Sequence, residues 1–257
     1  MSIAEATELR TDVVRLENVS KQYGTGGNAL LALDRVSLTV RQGEFVCLLG
    51  ASGCGKSTLL SLVAGLDKIS AGTLDIGGRH VSLMFQEAAL FPWLSVAGNV
   101  ELPMRLRGVP KAERQNRAAE LLEIVRLKGL GHKRPHELSG GMRQRVALAR
   151  ALAQDADVLL MDEPFGALDA MTRDILHDEL ERIWREQELT VLFVTHNVRE
   201  AVRLGDRVIL LSSRPGRVIE DFGVKHERPR RIDSPEVSAQ AAEITDRLRT
   251  EVARHAS

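Results

Sequence analysis

The chain has 257 residues, 44% of them hydrophobic, which is enough to bury a sizeable core in one large domain or in one domain with an insertion. Its 35 basic residues balance 35 acidic ones, which disfavours a nucleic-acid clamp and recruitment by anionic lipid alone. No apolar run approaches the roughly 20 residues that cross a bilayer, and the polar start from Met1 to Arg10 is unlike a signal peptide, so we expect a soluble protein.

Six short segments rich in apolar and β-branched residues predict strands. The segment at 44–49 is almost continuously apolar, and those at 157–161 and 190–195 share this character, which is typical of a parallel sheet covered on both faces. A disulfide between Cys47 and Cys54 would distort the loop between them, so a reducing cytoplasm is expected. In chain order the predicted strands are Val13 to Val19, Val36 to Val40, Glu44 to Leu49, Asp157 to Met161, Thr190 to Thr195 and Arg207 to Leu211.

Helical periodicity fills the intervals between these strands, which predicts an α/β fold. The stretch from Glu87 to Ala153 holds helix formers and no convincing strand, so we interpret it as a helical insertion. The apolar stripes of two predicted helices are Ala118, Leu121, Leu122 and Val125, and Leu176, Leu180, Ile183 and Trp184.

The C-terminal part begins with a run of charges from Lys225 to Arg231. We interpret this run as a solvated linker, with contact to lipid headgroups or a partner as the alternative. A helix is predicted to follow, with Ser234 as its N-cap and Pro235 in its first turn. Its apolar stripe consists of Val237, Ala241, Ile244, Leu248 and Val252.

A phosphate-binding loop follows the strand at 44–49. The pattern G-x-x-x-x-G-K-[ST] lies between that strand and a helix that opens at Thr58, which is the context the motif requires. Its glycines let backbone N–H groups turn toward phosphate oxygens, the lysine adds a point charge and the serine offers a hydroxyl to Mg²⁺. The loop consists of Gly50, Ala51, Ser52, Gly53, Cys54, Gly55, Lys56 and Ser57.

Two further segments carry polar groups that such a loop needs. Asp162 and Glu163 end a strand, where one carboxylate can face a metal and the other a water molecule; by themselves they could be solvated or cap a helix. Ser139, Gly140 and Gly141 precede a helix and could bind an anion or form an ordinary cap.

Together these segments resemble the ABC ATPase family over about Val13 to Val218. Six motifs occur in the family's order: the loop at 50–57, Gln86 as the Q-loop, Leu138 to Gln144 as the signature, Asp162 and Glu163 as the Walker B pair, Ala167 to Asp169 as the D-loop, and His196 as the switch histidine. The resemblance implies a P-loop NTPase fold with a mostly parallel central sheet, an antiparallel β portion near the N-terminus and an inserted helical subdomain. We divide the chain into an ATPase domain at 12–225, with the subdomain at about 87–153, and a linker plus helix at 226–257.

The resemblance also implies roles for single residues. Glu163 would be the base for the lytic water, with His196 and Lys56 at the γ-phosphate, and Mg²⁺ would lie at Ser57, Gln86 and Asp162. Tyr23 is the only tyrosine and lies where the family stacks an aromatic ring on adenine; a surface tyrosine in a turn is the alternative. The remaining ATP-binding residues of the same chain are the loop at 50–57, Thr58 and Gln86. The resemblance also implies a head-to-tail homodimer in which one chain completes the site of the other through Ser139, Gly140, Gly141 and Asp169.

A single cassette without membrane helices points to an importer assembled from separate chains. Long coiled coils, as in repair and chromosome relatives, and a second cassette, as in translation factors, are not present in the sequence. The expected partners are two integral-membrane permease subunits and, indirectly, an extracytoplasmic solute-binding protein, with this chain peripheral on the cytoplasmic face of the membrane and no nucleic acid bound. A regulatory ATPase, with the C-terminal helix as an effector module, is the alternative from another class.

Several stretches resemble the ATPases of nitrate, sulfonate and taurine importers, and we expect aliphatic sulfonates as cargo, with taurine and nitrate as alternatives. These stretches are Leu90 to Val96, Gly108 to Pro110, Met161 to Ala170 and Ser213 to Val218. Phe91 and Trp93 either meet the permease or fill the core of the helical subdomain.

Two features depart from the family pattern. The loop from Gly77 to His80 is shorter than in many relatives, which could alter the surface near the permease. Asn197 follows His196 where an aspartate is usual, and this removes a charge beside the switch histidine.

Overall fold

A computed structural model of the chain describes residues 11–26, 29–166 and 168–255. The segment from Met1 to Arg10, Ala167 of the D-loop motif and the last two residues of the predicted 226–257 segment lie outside the described residues. No helix in the described ranges is long and apolar enough to span a membrane.

Strands and helices alternate through most of the described chain. The strands are β1 (Asp12–Tyr23), β2 (Leu30–Arg41), β3 (Phe45–Leu49), β4 (Ala71–Asp75), β5 (Val81–Met84), β6 (Val158–Asp162), β7 (Thr190–Val194), β8 (Arg207–Leu211) and β9 (Val218–Gly223). The α-helices are α1 (Lys56–Val63), α2 (Val96–Leu106), α3 (Lys111–Ile124), α4 (Gly140–Leu152), α5 (Ala170–Glu186), α6 (Val198–Leu204) and α7 (Pro235–His255), and a 3-10 helix covers Pro135–Glu137.

The described strands form two sheets. A three-stranded antiparallel sheet has the order β2-β1-β4, and a six-stranded sheet has the order β5-β6-β7-β3-β8-β9. Neighbours from β5 to β8 pair in parallel, and only β9 is antiparallel, to β8. The predicted α/β fold, with a mostly parallel sheet and an antiparallel portion near the N-terminus, is confirmed.

All six predicted strands are present, although β1 and β2 extend further than the apolar pattern indicates. The pattern does not predict β4, β5 and β9, which lie at sheet edges. Four of the five residues of β4 and three of the six residues of β9 are exposed. Between β5 and β6 the structure is helical, with α2, α3 and α4 packed on one another.

Strand β3 is the centre of the hydrophobic core. Its five residues are fully buried because consecutive side chains point to opposite faces, each of which is covered. Phe45, Cys47 and Leu49 pack among helices, whereas Val46 and Leu48 face α1 and the antiparallel sheet. Cys47 and Cys54 are both buried free thiols, consistent with the expectation of no disulfide.

The prediction of a solvated linker from Lys225 to Arg231 is wrong for two of its arginines. The Arg228 guanidinium lies 4.5 Å from the ring centre of Trp184 and bonds Asp206 at 2.9 Å. Arg230 is only 6% exposed and donates to carbonyl groups at the C-terminal end of α6 and in the segment itself. The last carbonyls of a helix have no hydrogen-bond donor within the helix, and the Arg230 guanidinium supplies the donors. A run of charges in the sequence does not predict such a contact.

The C-terminal helix is present as predicted, beginning at Pro235 with the Val237 amide 3.4 Å from Ser234 Oγ. Val237, Ala241 and Ile244 are buried against the core, so the helix packs on the body through this stripe. Val252, predicted on the same stripe, is 42% exposed.

Replacing Arg230 tests whether this buried guanidinium holds the C-terminal segment. Burial lowers the pKa of Arg230 to about 10, so the group is still charged at neutral pH and its donors are available. We expect Arg230→Met to lower the free energy of unfolding by on the order of 2–4 kcal/mol, because several buried carbonyls lose their donor. Urea denaturation measures this change. The matched control is Arg231→Met, which removes an exposed guanidinium paired with Asp233 and should leave the midpoint unchanged; equal midpoints for the two variants would contradict the role of Arg230.

Candidate nucleotide site

Five neighbouring parallel strands, β5, β6, β7, β3 and β8, end at the same edge of the larger sheet. The loops that follow them therefore meet there, as in other open parallel sheets. They enclose a cavity of about 510 Å³, a size typical of sites for small ligands. Its lining residues are Tyr23, Leu30, Ala32, Gly50, Ser52, Gly53, Gly55, Lys56, Ser57, Thr58, Gln86, Glu163, His196 and Arg214.

The loop between β3 and α1 has the shape of an anion cradle. Gly55 precedes α1 with φ of 97°, and a Cβ there would lie 2.7 Å from Leu33 Cδ2, so only glycine fits. The buried Lys56 Nζ donates to the carbonyls of Gly50 and Ala51, both at 2.9 Å. The start of α1 and the ammonium group thus concentrate positive potential at one end of the cavity.

Asp162 stands at the end of β6 beside this loop. Burial raises the pKa of its carboxyl group, and the hydrogen bond from Ser57 partly opposes that shift. Asp162 does not itself line the cavity, but it contacts the Ser57 hydroxyl, which lines the cavity together with the Gln86 amide. The oxygen atoms of these three side chains are hard donors of the kind that Mg²⁺ takes together with substrate phosphates. These residues therefore fit the metal that the sequence implies.

Glu163 and His196 are brought together although they follow different strands. Glu163 Oε2 lies 3.0 Å from His196 Nδ1 and 3.5 Å from Gln86 Nε2. Glu163 has φ of 44°, an uncommon conformation for a residue with a side chain, of the kind that concentrates at functional sites. A carboxylate and an imidazole in contact at the cavity wall can accept and donate protons to a bound substrate.

Tyr23 lies at the mouth of the cavity. Its hydroxyl donates to Asp67 Oδ2 at 3.0 Å, and Lys21 Nζ lies 4.8 Å from the ring centre. Lys21 also lowers the pKa of Asp67 through a hydrogen bond, which keeps the carboxylate charged. The ring is 40% exposed and held in place, which suits a flat surface for a base.

The signature residues are not among those that line the cavity of their own chain. Ser139 caps α4, accepting from the Met142 amide at 3.2 Å, and Asp169 caps α5, accepting from the Thr172 amide at 2.9 Å. This amide bond is the largest cause of the lowered pKa of Asp169. The structure of a single chain thus gives Ser139 the capping role that the sequence offers as the simpler alternative, and it gives Asp169 a capping role that the sequence analysis does not foresee.

Asn197 caps α6 by accepting from the Glu200 amide at 3.2 Å. Asparagine and aspartate are about equally good at this position of a helix. The departure from the family pattern therefore leaves the cap intact.

Arg214 is a cavity residue that the sequence does not identify as one. In the sequence it belongs only to the Ser213 to Val218 stretch, whereas in the structure its Nε donates to the Gly53 carbonyl at 3.2 Å. The one available signal is its position three residues after the end of β8. That signal has no meaning until β8 is known to lie beside β3.

The chain is similar in sequence to known proteins. The sequence profile described as "ABC transporter" matches residues 33–166. A taurine import ATP-binding protein of Rhizobium johnstonii is 45% identical over 87% of this chain and 89% of its own length. An aliphatic sulfonates import ATP-binding protein of Bacillus licheniformis is 44% identical over 84% of this chain and 86% of its own.

The fold has a counterpart among solved structures. A dimeric ATP-binding cassette in a post-hydrolysis state, bound to ADP and Pi, matches with a TM-score of 0.77 and 34% identity, covering 83% of this chain and all of that one. The described fold thus has a close parallel in a nucleotide-bound protein.

Substitutions at Tyr23 test whether its ring binds the base of a nucleotide. We expect Tyr23→Ala to weaken ATP binding about fivefold to tenfold with the maximal rate largely kept, because stacking contributes about 1 kcal/mol. Tyr23→Phe is the matched control, since it removes only the hydroxyl bond to Asp67 and should bind normally. Calorimetric titration with ATP distinguishes the two, and unchanged affinity of Tyr23→Ala would refute the stacking role.

Proposed function

The chain belongs to the ABC transporter family and is an ATPase of the group that includes taurine and aliphatic sulfonate import ATP-binding proteins, and on this premise we propose how its residues act and which solute it helps to import. The observation that carries the proposal is the meeting of Lys56, Glu163 and His196 on one cavity. Each follows a different parallel strand, so their convergence does not arise from proximity in the sequence.

We propose that the backbone N–H groups of the loop at 50–57 and the Lys56 ammonium hold the phosphates of ATP. Ser57, Asp162 and Gln86 would hold Mg²⁺, which when bound neutralises charge on the phosphate oxygens. Glu163 orients the attacking water and accepts a proton from it. The water oxygen bonds to the γ-phosphorus in line with the bridging oxygen of the β-phosphate, whose bond to the γ-phosphorus breaks, so that ADP and phosphate are the products. His196, held against Glu163 at 3.0 Å, contacts the γ-phosphate.

We infer that two chains assemble head to tail, each completing the site of the other. Ser139 and Gly141 support this inference because they lie at the start of α4, where a helix N-terminus attracts anions, yet they do not line their own cavity. Asp169, at the start of α5, belongs to the same proposed interface. ATP would then draw the two chains together, and hydrolysis would release them.

The aromatic pair of half-buried Phe91 and exposed Trp93 is proposed as the contact with a membrane permease. Trp93 is 68% exposed and its ring lies 5.4 Å from that of Phe91, so the alternative that Trp93 fills the core is wrong. Tryptophan occurs at protein–protein interfaces more often than on the rest of the protein surface. The proposed importer also contains two permease subunits and an extracytoplasmic binding protein. In it, this chain lies at the periphery of the membrane on the cytoplasmic face.

For the solute we propose aliphatic sulfonates, with taurine and nitrate as alternatives. The Ser213 to Val218 stretch and the other stretches that resemble nitrate, sulfonate and taurine importer ATPases support a solute from this group. The solute itself contacts other subunits of the proposed importer, so uptake has to be measured with the assembled importer. We expect the assembled importer to take up a labelled alkanesulfonate, with unlabelled alkanesulfonate competing better than taurine or nitrate. Stronger competition by either alternative would reassign the cargo.

Glu163→Gln tests the hydrolytic mechanism. We expect this variant to bind ATP, to accumulate as a closed dimer and to lose at least about 100-fold in turnover, because the amide cannot accept a proton. Phosphate release measures turnover, and gel filtration in ATP measures the closed dimer, which forms only if ATP binds. Glu87→Gln, which removes an exposed carboxylate that does not line the cavity, is the control; normal turnover by Glu163→Gln would refute Glu163 as the base.

A further inference from the structure

A chain of buried polar groups lies behind the two loops that carry Glu163 and His196. His177 on α5 is 0% exposed, and Glu200 and Arg203 on α6 are 4% and 5% exposed. Polar groups at this depth destabilise the fold unless they are paired. Their partners are therefore informative.

The imidazole of His177 bridges a carboxylate and a guanidinium. His177 Nε2 lies 2.6 Å from Glu200 Oε1, and Nδ1 lies 2.7 Å from Arg203 Nη1. Arginine can only donate, so Nδ1 accepts and Nε2 carries the ring proton that is donated to Glu200. The neutral ring is thus fixed in one tautomer and one orientation.

Glu200 connects this bridge to the loop of His196. Its second oxygen accepts a hydrogen bond from the hydroxyl of Thr195, the residue directly before His196. The same hydroxyl accepts from the Asn197 amide at 3.0 Å, on the other side of His196. The carboxylate of Glu200 thereby determines the turn from which the switch histidine projects.

Phe165 connects the same ring to the loop of Glu163. The rings of Phe165 and His177 meet edge to face, with centres 5.3 Å apart and planes at 68°. Phe165 is 2% exposed and lies two residues after Glu163, in a turn closed by the Gly166 amide and the Glu163 carbonyl at 3.2 Å. One buried imidazole therefore contacts the loop of Glu163 through Phe165 and supports the loop of His196 through Glu200.

The far end of the chain of groups is anchored to the body. Arg203 also pairs with Asp178 and donates through Nε to the Arg230 carbonyl at 3.2 Å. Its charge is thus held from two sides, and the imidazole is not free to rotate or shift. The arrangement has the rigidity expected of a group that supports a reactive pair.

We propose that His177 is a positioning residue that sets the distance between Glu163 and His196, an inference that rests on the hydrolytic roles proposed for those two residues. The Glu163 to His196 contact of 3.0 Å joins two loops that follow different strands, and His177 touches the supports of both. Loss of the bridge lets the loops shift relative to each other. Small misplacements of reacting groups slow chemistry far more than they weaken binding.

Two substitutions at His177 separate its hydrogen bonding from its packing. A glutamine side chain carries one donor and one acceptor group, so His177→Gln can bridge Glu200 and Arg203. His177→Leu keeps apolar bulk and removes both bonds. We expect His177→Leu to lower kcat about tenfold with KM and ATP affinity within about twofold, and His177→Gln to restore most of kcat.

Leu176→Ala is the matched control for lost stability, since Leu176 is buried on the same helix next to His177. It should lower the melting temperature without the selective loss of kcat. In protein labelled with ¹⁵N-histidine and free of nucleotide, the ring signals of His196 should shift in His177→Leu and not in Leu176→Ala.

Two outcomes would overturn the positioning role: normal kcat in His177→Leu, or an equal loss of kcat in Leu176→Ala. The proposed hydrolytic mechanism fails separately. Normal turnover by Glu163→Gln would remove the reactive pair itself, whereas an inactive Glu163→Gln with a normal His177→Leu would leave that mechanism intact and refute only the positioning.

Discussion

The parallel pairing of β3 between β7 and β8 is the constraint on which the site depends. Since parallel strands share a direction, their loops reach the cavity at one edge, and each loop has to supply only one or two groups. The phosphate cradle follows the central strand, and its neighbours place the other groups around it. In sheet order these groups are Gln86, Glu163, His196, the loop at 50–57, and Arg214, and Asp162 joins them through its hydrogen bond with Ser57.

Burial of β3 on both faces makes this edge rigid and also costly for charges. Burial raises the pKa of Asp162, and the Ser57 hydroxyl and the Lys56 ammonium oppose the shift. Lys56 itself is held by two loop carbonyls. The charged groups of the site are therefore preorganised by the backbone around them, which is how a polar site acts without reorganising during a reaction.

The C-terminal segment is part of the same body. Arg230 satisfies carbonyls at the end of α6, and its own carbonyl accepts from Arg203, which pairs with His177. Helix α6 begins directly after the loop of His196, and the carbonyls of its last turn accept hydrogen bonds from the Arg230 guanidinium. The segment that composition alone assigns to a solvated linker thus supports the helix that follows the loop of His196.

The sequence by itself determined the strands at 44–49 and 207–211, the phosphate loop, and the chemical identities of Glu163 and His196, because these depend on patterns a few residues long. Only the tertiary structure decided that Arg214 reaches Gly53, that Arg230 is buried, and that His177 lies between Glu200 and Phe165. Short patterns specify local backbone and side-chain type. The side-by-side order of parallel strands, and the contacts between residues far apart in the chain, follow from non-local packing that no local pattern records.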